Sequence, residues 1–364
     1  MKDKLPNRWL LAGAGVLMQV ALGAVYAWSV FRDPLIKAGD WSISEVTFTF
    51  SIAILVLGFA SFLGGLWMSR VGPRVVGITA GFCYGLGVSL ASLSAGRIWV
   101  LYLTYGVLGG LGLGLAYIVP IATLVKWFPD WRGFITGLAV AGFGGGALLT
   151  APVAASLIQQ VGVLSTFAIL GIIYLVMVVA AASVMQNPPQ GWKPEGWQPA
   201  VKQASERASQ DFTLQEALSR WQWYVLWAIL FLNTTAGISI ISQAAPMAKE
   251  ICGASPLLAA SMVGIISIAN ALGRLLWAWL SDATGRRNVF LIMFLLQALL
   301  FFIMPSQREF AILVSLAFVV LSCYVADLEQ CRHSQQIALV RNRSVQFMGL
   351  CSRHGDLPLC SGPC

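Results

Sequence analysis

Long apolar segments separated by short polar connections run through most of the chain. Each is long enough to cross about 30 Å of hydrocarbon as an α-helix that rises 1.5 Å per residue. The predicted spans cover residues 9–31, 46–68, 75–95, 98–125, 133–158, 163–185, 221–247, 256–281, 288–304 and 309–326. The pattern therefore predicts an all-α integral membrane protein with ten transmembrane helices. No small-residue cleavage site follows the first segment, so we expect it to be retained and not removed as a signal peptide.

One long polar connection, rich in Pro, Gly and Gln, divides the spans into six and four. We expect residues 1–185 to form an N-terminal six-helix bundle and residues 186–220 to be a linker between bundles. Residues 221–324 would then form an incomplete second bundle of helices seven to ten. The polar tail 325–364 contains no span.

A short basic loop occurs twice, as GLWMSRVGPR at 65–74 and as AWLSDATGRR at 278–287. In each copy a glycine follows Ser69 or Asp282 by three residues, which suits a tight turn. A repeated loop indicates repeated halves, the plan of many secondary transporters. We therefore predict two conformational loops, formed by Arg70, Gly72 and Arg74 in the first copy and by Asp282, Gly285, Arg286 and Arg287 in the second.

Composition and charge agree with a membrane protein. Hydrophobic residues make up 58% of the chain and charged residues 10%, with a net charge of +8. Thirteen basic residues fall on one side of the ten-span topology, namely Lys2, Lys4, Arg8, Arg70, Arg74, Lys126, Arg132, Lys193, Lys202, Arg207, Arg220, Arg286 and Arg287. Five fall on the other side, namely Arg32, Lys37, Arg97, Lys249 and Arg308. Basic residues concentrate in cytoplasmic loops. We expect a cytoplasmic N-terminus in the cell's inner (plasma) membrane, with the lipid bilayer and not nucleic acid as the partner of these charges.

Glycines crowd two of the predicted helices. They are Gly106, Gly109, Gly110, Gly112 and Gly114 in the fourth span, and Gly137, Gly142, Gly144, Gly145 and Gly146 in the fifth. Small residues let membrane helices approach closely. The run GGLGLG follows no strand and no acidic residue comes about 20 positions later, so a dinucleotide site is not expected. We predict that these two helices form a mobile packing surface.

Three segments resemble the oxalate/formate antiporter family of the major facilitator superfamily. They are VYAWSVF at 25–31, AYIVPIATLVKWFPDWRGFITGLAVAGFGGGALL at 116–149 and NALGRLLWAWLSDATGRR at 270–287. The resemblance covers about residues 8–324 and is most specific at KWFP. It implies two six-helix bundles, of which ten of twelve helices are present, a carrier of small carboxylate anions, a monomer and no cofactor. The first basic loop departs from the superfamily pattern at Ser69, where Asp is usual, and at Pro73.

Arg274 is the one cation inside a predicted span, and the ten predicted spans contain no Asp or Glu apart from Glu309, the first residue of the last span. A cation in hydrocarbon is expensive unless it faces a cavity or a partner, or extends to the membrane surface. The resemblance implies that Arg274, which follows Asn270, binds the substrate carboxylate and that Tyr26 and Tyr117 occupy family tyrosine positions. Trp28 and Trp277 are further candidates to line the cavity, although aromatic residues at membrane depth also serve packing.

The absence of acidic residues from the interior of the predicted spans favours anion exchange, because proton coupling usually needs a titratable group in the path. Two alternatives stay open. One is a proton-coupled carrier of monocarboxylates such as pyruvate, lactate or formate, and the other is a transporter-like sensor. An enzyme is not expected, because the predicted spans offer no acid, base or metal ligand to activate a nucleophile.

The tail 325–364 has a composition unlike the rest of the chain. Its opening residues can be encoded so that one added base gives GGGFGTMPAF, and the same shift at 345–357 permits the apolar GSIYGLMLTAWGF. We therefore expect a one-base deletion just after Tyr324 and a chain that does not transport. Cys331, His333, Cys351 and His354 could compose a zinc site, but out-of-frame residues have no selected structure, so no metal site is expected.

Overall fold

The chain is all-helical throughout the part that a computed structural model describes. These residues are 6–189, 191–194, 219, 221–284 and 286–324. Within them, nine helices are long and apolar enough to cross a membrane, and a tenth apolar helix is shorter. The prediction of an all-α membrane protein is confirmed. The tail 325–364 and most of the linker lie outside the described residues.

Ten helices follow one another in the order of the ten predicted spans. They are α1 (Arg8–Gly39), α2 (Ile43–Val71), α3 (Pro73–Leu93), α4 (Ile98–Trp127), α5 (Arg132–Val161), α6 (Val163–Ser183), α7 (Trp221–Cys252), α8 (Pro256–Thr284), α9 (Arg286–Ile303) and α10 (Phe310–Cys323). We call the face where α1 begins and α6 ends the linker face. The face where α1 and α7 end is the far face.

Several helices continue beyond the predicted span ends, and among the described residues α1 and α7 are the two that carry paired acidic residues in the added turns, which corrects the expectation that the helices contain no acidic residue. The first was expected to stop at 31 and the seventh at 247, where charged residues begin. The helix α1 instead runs through Arg32 and Asp33 to Gly39, and α7 runs through Glu250 to Cys252. A charged residue ends an apolar run in sequence, but a helix can continue when that charge is paired.

Single glycines form the shortest connections between consecutive helices. Gly72 alone separates α2 from α3 and has φ +85°, and Gly162 alone separates α5 from α6 with φ +80°. Both angles lie in the region that favours glycine. At the far face, α2 begins with a capping box, in which Ser42 and Glu45 satisfy each other's backbone N–H groups.

The first bundle comprises α1 to α6, and glycines bring its helices together. A Cβ added at Gly112 of α4 would lie 2.2 Å from the backbone nitrogen of Tyr84 in α3, and one at Gly114 would lie 2.4 Å from the carbonyl oxygen of Leu57 in α2. A Cβ at Gly146 of α5 would lie 2.4 Å from the carbonyl oxygen of Val20 in α1. These contacts lie inside one bundle.

The second bundle, as far as it is described, comprises α7 to α10. It meets the first bundle along a seam where α8 packs against α5 and where α7 packs against the far half of α1. Among the glycines of α4 and α5, Gly144 faces this seam, with an added Cβ placed 3.3 Å from the backbone nitrogen of Ala271. The glycines of α4, which were predicted to share a mobile surface with those of α5, instead pack within the first bundle, and the mobility of the α5 surface stays a prediction.

Candidate functional site

A local tightening of α1 places Tyr26 in the seam. Residues Ala24–Ala27 form a 3₁₀ turn inside the long helix, and such turns within helices often mark functional hinges. The phenol of Tyr84 donates to the carbonyl oxygen of Ala21 at 3.3 Å, just before the turn. Tyr26 is 6% exposed, and its hydroxyl oxygen lies 3.4 Å from that of Tyr324, which follows α10. Tyr26 thus contacts both bundles.

Three aromatic rings lie in a row beside this turn. The ring of Phe143 in α5 meets the ring of Tyr26 edge-on, with centroids 5.0 Å apart, and meets that of Tyr117 edge-on at 5.1 Å. Edge-to-face geometry is the favourable arrangement for such pairs. The two predicted tyrosines are therefore brought together by Phe143, which the sequence analysis missed. The sequence feature that could have identified Phe143 is that it is the one aromatic residue within the glycine run 142–146 of α5.

The seam around Tyr26 is closed. Its lining residues come from α1, α7, α8 and α10 and are Tyr26, Ile241, Val263, Ile266, Ser267, Asn270 and Leu321. The space that they enclose admits no water molecule. A ligand could enter only if the two bundles separated, as the alternating movement of transporter halves requires.

Asn270 and Ser267 supply polar groups from α8. Asn270 is 1% exposed, and Ser267 is 4% exposed, with its hydroxyl donating to the carbonyl oxygen of Val263 at 2.9 Å. Arg274 follows Asn270 by four residues in the same helix, so its backbone lies on the same helical face about 6 Å farther along the axis. The side chain of Arg274 lies outside the part that the structure describes.

The two candidate tryptophans lie apart from the closed seam. Trp28 is 1% exposed inside the first bundle, where its ring centroid lies 6.1 Å from that of Phe50 and 4.7 Å from that of Tyr105. Trp277 packs within the second bundle, and its indole N–H points to the hydroxyl of Ser322 at 3.4 Å. The structure therefore places both in helix packing and not among the seam-lining residues.

Each basic loop lies between two consecutive helices at the linker face. In the first copy, Gly72 is the joint, and Arg70 and Arg74 flank it with exposed side chains. In the second copy, α8 ends at Thr284 and α9 begins at Arg286. Gly285 and the side chains of Asp282, Arg286 and Arg287 lie outside the described part of the chain.

The KWFP segment, at 126–129, packs against the start of the linker at the linker face of the first bundle. The indole N–H of Trp127 donates to the carbonyl oxygen of Gln186 at 2.7 Å, and its ring lies 4.8 Å from that of Trp192. Close by, one nitrogen of Arg8 donates to both carboxylate oxygens of Asp130, at 3.0 and 2.9 Å. The guanidinium of Arg8 also lies over the ring of Phe128, 4.8 Å from its centroid. The start of the linker is thus attached to the end of α4.

Comparison with solved structures identifies the same helix arrangement. A bacterial homologue of the human lysosomal transporter Spinster, solved in an inward-facing and unoccupied conformation, superposes with a TM-score of 0.68. The alignment covers 96% of this chain and 80% of that protein, at 14% sequence identity. At that identity the match concerns the fold alone.

Comparison with known sequences places the chain in a family. YhjX, an uncharacterised transporter of Escherichia coli, is 33% identical over 318 residues, which are 86% of this chain and 77% of YhjX. The oxalate:formate antiporter of Oxalobacter formigenes is 27% identical over 303 residues, 83% of this chain and 70% of that protein. The apicoplast pyruvate carrier 1 of Toxoplasma gondii is 25% identical, covering 82% and 72%. The profile of the Major Facilitator Superfamily matches residues 5–326. The chain therefore belongs to the Major Facilitator Superfamily of membrane transporters, and its predicted similarity to the oxalate:formate antiporter is confirmed.

Proposed function

We propose that this transporter, when its reading frame continues intact past Tyr324, exchanges small carboxylate anions in the manner of an oxalate/formate antiporter, and that the 364-residue chain itself does not transport. The observation that carries the proposal is that Tyr26 and Asn270 line one seam between the bundles, with Arg274 one helical turn beyond Asn270. Hydroxyl and amide groups donate hydrogen bonds to carboxylate oxygens, and a guanidinium matches two of those oxygens at once. The site thus combines one fixed positive charge with neutral donors.

The names of two relatives support a small carboxylate as the substrate. One is an oxalate:formate antiporter and another is a pyruvate carrier. Oxalate, formate and pyruvate differ in size and charge but share a planar carboxylate. The aromatic row of Tyr26, Phe143 and Tyr117 suits such a ligand, because flat side chains can bound a planar anion on one side while polar groups hold it.

Exchange is favoured over proton coupling by the chemistry of the seam. The seven residues that line it in the described part include no Asp, Glu or His. Anion exchange needs no titratable group there. A second candidate, a proton-coupled monocarboxylate carrier, is favoured by the relative named as a pyruvate carrier. Counterflow in vesicles at constant pH, by a chain with one base added after the Tyr324 codon, separates the two. A transporter-like sensor would bind its ligand without counterflow.

We further propose that the protein lies in the inner (plasma) membrane as a monomer. In the proposed orientation, the linker face is cytoplasmic. Arg8, Lys126 and Arg132 lie at this face, near the ends of α1, α4 and α5. Together with the other basic residues of the short loops, they follow the bias toward cytoplasmic positive charge. The far face would then be outside.

Ligand binding in lipid nanodiscs, by a purified chain with one base added after the Tyr324 codon, tests the proposed substrate class. We expect oxalate or formate to bind, measured calorimetrically, and Arg274→Gln to lower the affinity about tenfold or more, because a charge-assisted pair is lost. Arg70→Gln is the matched control, since that arginine lies at an exposed loop. Unchanged affinity in Arg274→Gln, or no binding of any of oxalate, formate, pyruvate and lactate, would contradict the proposal.

A further inference from the structure

A buried arginine connects the two bundles at the far face. Arg32 lies in the far half of α1, and its side chain is 7% exposed. Its Nε donates to Asp33 Oδ1 at 3.0 Å, and one terminal nitrogen donates to Glu250 Oε1 of α7 at 2.6 Å. The other terminal nitrogen donates to the side-chain oxygen of Gln243, also in α7. The guanidinium therefore uses all three nitrogens, two of them across the seam.

A second ion pair crosses the seam beside the first. The Nζ of Lys249 in α7 donates to Asp33 Oδ2 at 3.0 Å. Each oxygen of Asp33 thus has its own cation, with Arg32 on one and Lys249 on the other. The four charges alternate in the order Glu250, Arg32, Asp33 and Lys249, and they sum to zero. Loss of one partner would leave an opposite charge poorly compensated, most severely at the buried Arg32.

Water reaches the network from one side. A cleft of about 540 Å³ on the far face is lined by Arg32, Asp33, Lys37 and Lys249 together with apolar residues of α1, α5 and α7. The side chains of Asp33 and Lys249 are 25% and 23% exposed, and that of Glu250 is 65% exposed. These groups can therefore exchange their ion pairs for water without entering hydrocarbon, which makes the contact breakable.

The other contact between the bundles has a different chemistry. Along α5 and α8, the seam is formed by close approaches of small and apolar residues, such as Gly144 to Ala271 and Gly264 to Leu148. Such surfaces can tilt past one another without breaking charged bonds. The charged contact between α1 and α7 must instead be broken before the far face can open.

We propose that Arg32, Asp33, Lys249 and Glu250 form the gate that keeps the far face closed, with Arg32 as its central positioning residue. The inference rests on the proposed function, because a carrier that alternates between two faces needs a closure that opens in each cycle. The closed gate and the collapsed seam around Tyr26 belong to the same conformation.

Distances between spin labels on the two bundles test the gate without any substrate. Genetically encoded labels at Ser44 and Leu257, both exposed at the far face, leave the native cysteines in place. In the 364-residue chain in nanodiscs, we expect Glu250→Gln and Arg32→Gln to raise the fraction at longer distance about tenfold or more. The double variant R32E/E250R retains an opposite pair across the seam but places a like charge beside Asp33, so it should return the distribution only part of the way toward the starting one.

The matched control is Lys37→Gln. Lys37 is a cation that lines the same cleft, but it takes part in no ion pair found among the described residues. Its distance distribution should not change. Glu250→Gln decides the result if Arg32→Gln fails to fold, because Glu250 is largely exposed. Distributions for Glu250→Gln that match the unsubstituted chain would overturn the gate. Since no carboxylate is present, failure of the substrate assignment leaves this result unaffected.

Discussion

The hydroxyl oxygens of Tyr26 and Tyr324 lie 3.4 Å apart across the seam between the two bundles. Tyr26 comes from the 3₁₀ turn of α1, and Tyr324 directly follows α10. The ring of Tyr324 is pressed against α7, where a Cβ added at Gly237 would lie 2.0 Å from that ring. Two hydroxyls thus meet beside a space too small for a water molecule, and each could instead donate to an arriving carboxylate.

Removing the hydroxyl of Tyr26 should weaken ligand binding with little effect on folding. In Tyr26→Phe, the edge-on contact with Phe143 remains, but one hydrogen-bond donor is lost. A bond from a neutral donor to a charged acceptor contributes about 1.5–3 kcal/mol, so we expect the affinity for oxalate to fall about tenfold or more. Calorimetric titration measures this change. Tyr224→Phe, at an exposed position of α7, is the control, and equal affinities in both variants would show that Tyr26 does not contact the ligand.

The close approach of α5 to α1 predicts a strong effect of a single methyl group. In Gly146→Ala, the new Cβ would lie 2.4 Å from the carbonyl oxygen of Val20 and 2.6 Å from the Cα of Gly23, so the helices must move apart. Overpacking of this kind costs about 1–3 kcal/mol, and thermal unfolding in detergent should occur at a lower temperature. Gly13→Ala is the matched control, because a Cβ added at Gly13 would have no neighbouring atom within 4 Å. Equal unfolding temperatures for the two variants would refute the packing argument.

The attachment of the linker predicts an effect at Trp127. In Trp127→Phe, the indole donor to the Gln186 carbonyl is lost while most of the buried apolar surface is retained. The loss of one such bond destabilises by about 1–2 kcal/mol, and it should speed chymotrypsin cleavage after Trp192, whose ring packs on that of Trp127. Cleavage rates at that site, followed by mass spectrometry, measure the change. Trp99→Phe, at an exposed position of α4, should cleave at the rate of the unsubstituted chain. No acceleration in Trp127→Phe would mean that this bond does not anchor the linker.

The sequence predicted the helices well because each segment must satisfy its own backbone in a bilayer. All ten predicted spans coincide with helices, and Gly72 lies at the turn where the repeated loop required it. The helix ends were less predictable. The helix α1 passes through Arg32 and Asp33 because Glu250 and Lys249 of α7 pair with them. A partner more than two hundred residues away is invisible to a hydropathy pattern.

The candidate site was predicted in part. Tyr26 and Asn270 do line one seam, and Tyr117 lies beside it through Phe143. Phe143 and Ser267 were missed because their significance depends on how α5 and α8 are rotated against the other helices. Trp28 and Trp277 were predicted to line the cavity only because of their positions in the predicted spans. Their surroundings are decided by neighbours such as Phe50 and Ser322, which only the packed structure identifies.

The one-base deletion expected just after Tyr324 predicts that the 364-residue chain does not transport. The superfamily match ends at residue 326, and the tail 325–364 lies outside the described residues. We expect the 364-residue chain to show no oxalate or formate counterflow in vesicles, and a chain with one base added after the Tyr324 codon to show it. The physical reason is that a two-bundle carrier needs both halves to enclose its site. A chain stopped at Tyr324 is the control that separates the effect of the tail from that of missing helices, and it should be as inactive as the 364-residue chain. Counterflow of equal rate by the 364-residue chain and the extended chain would show instead that the ten helices suffice.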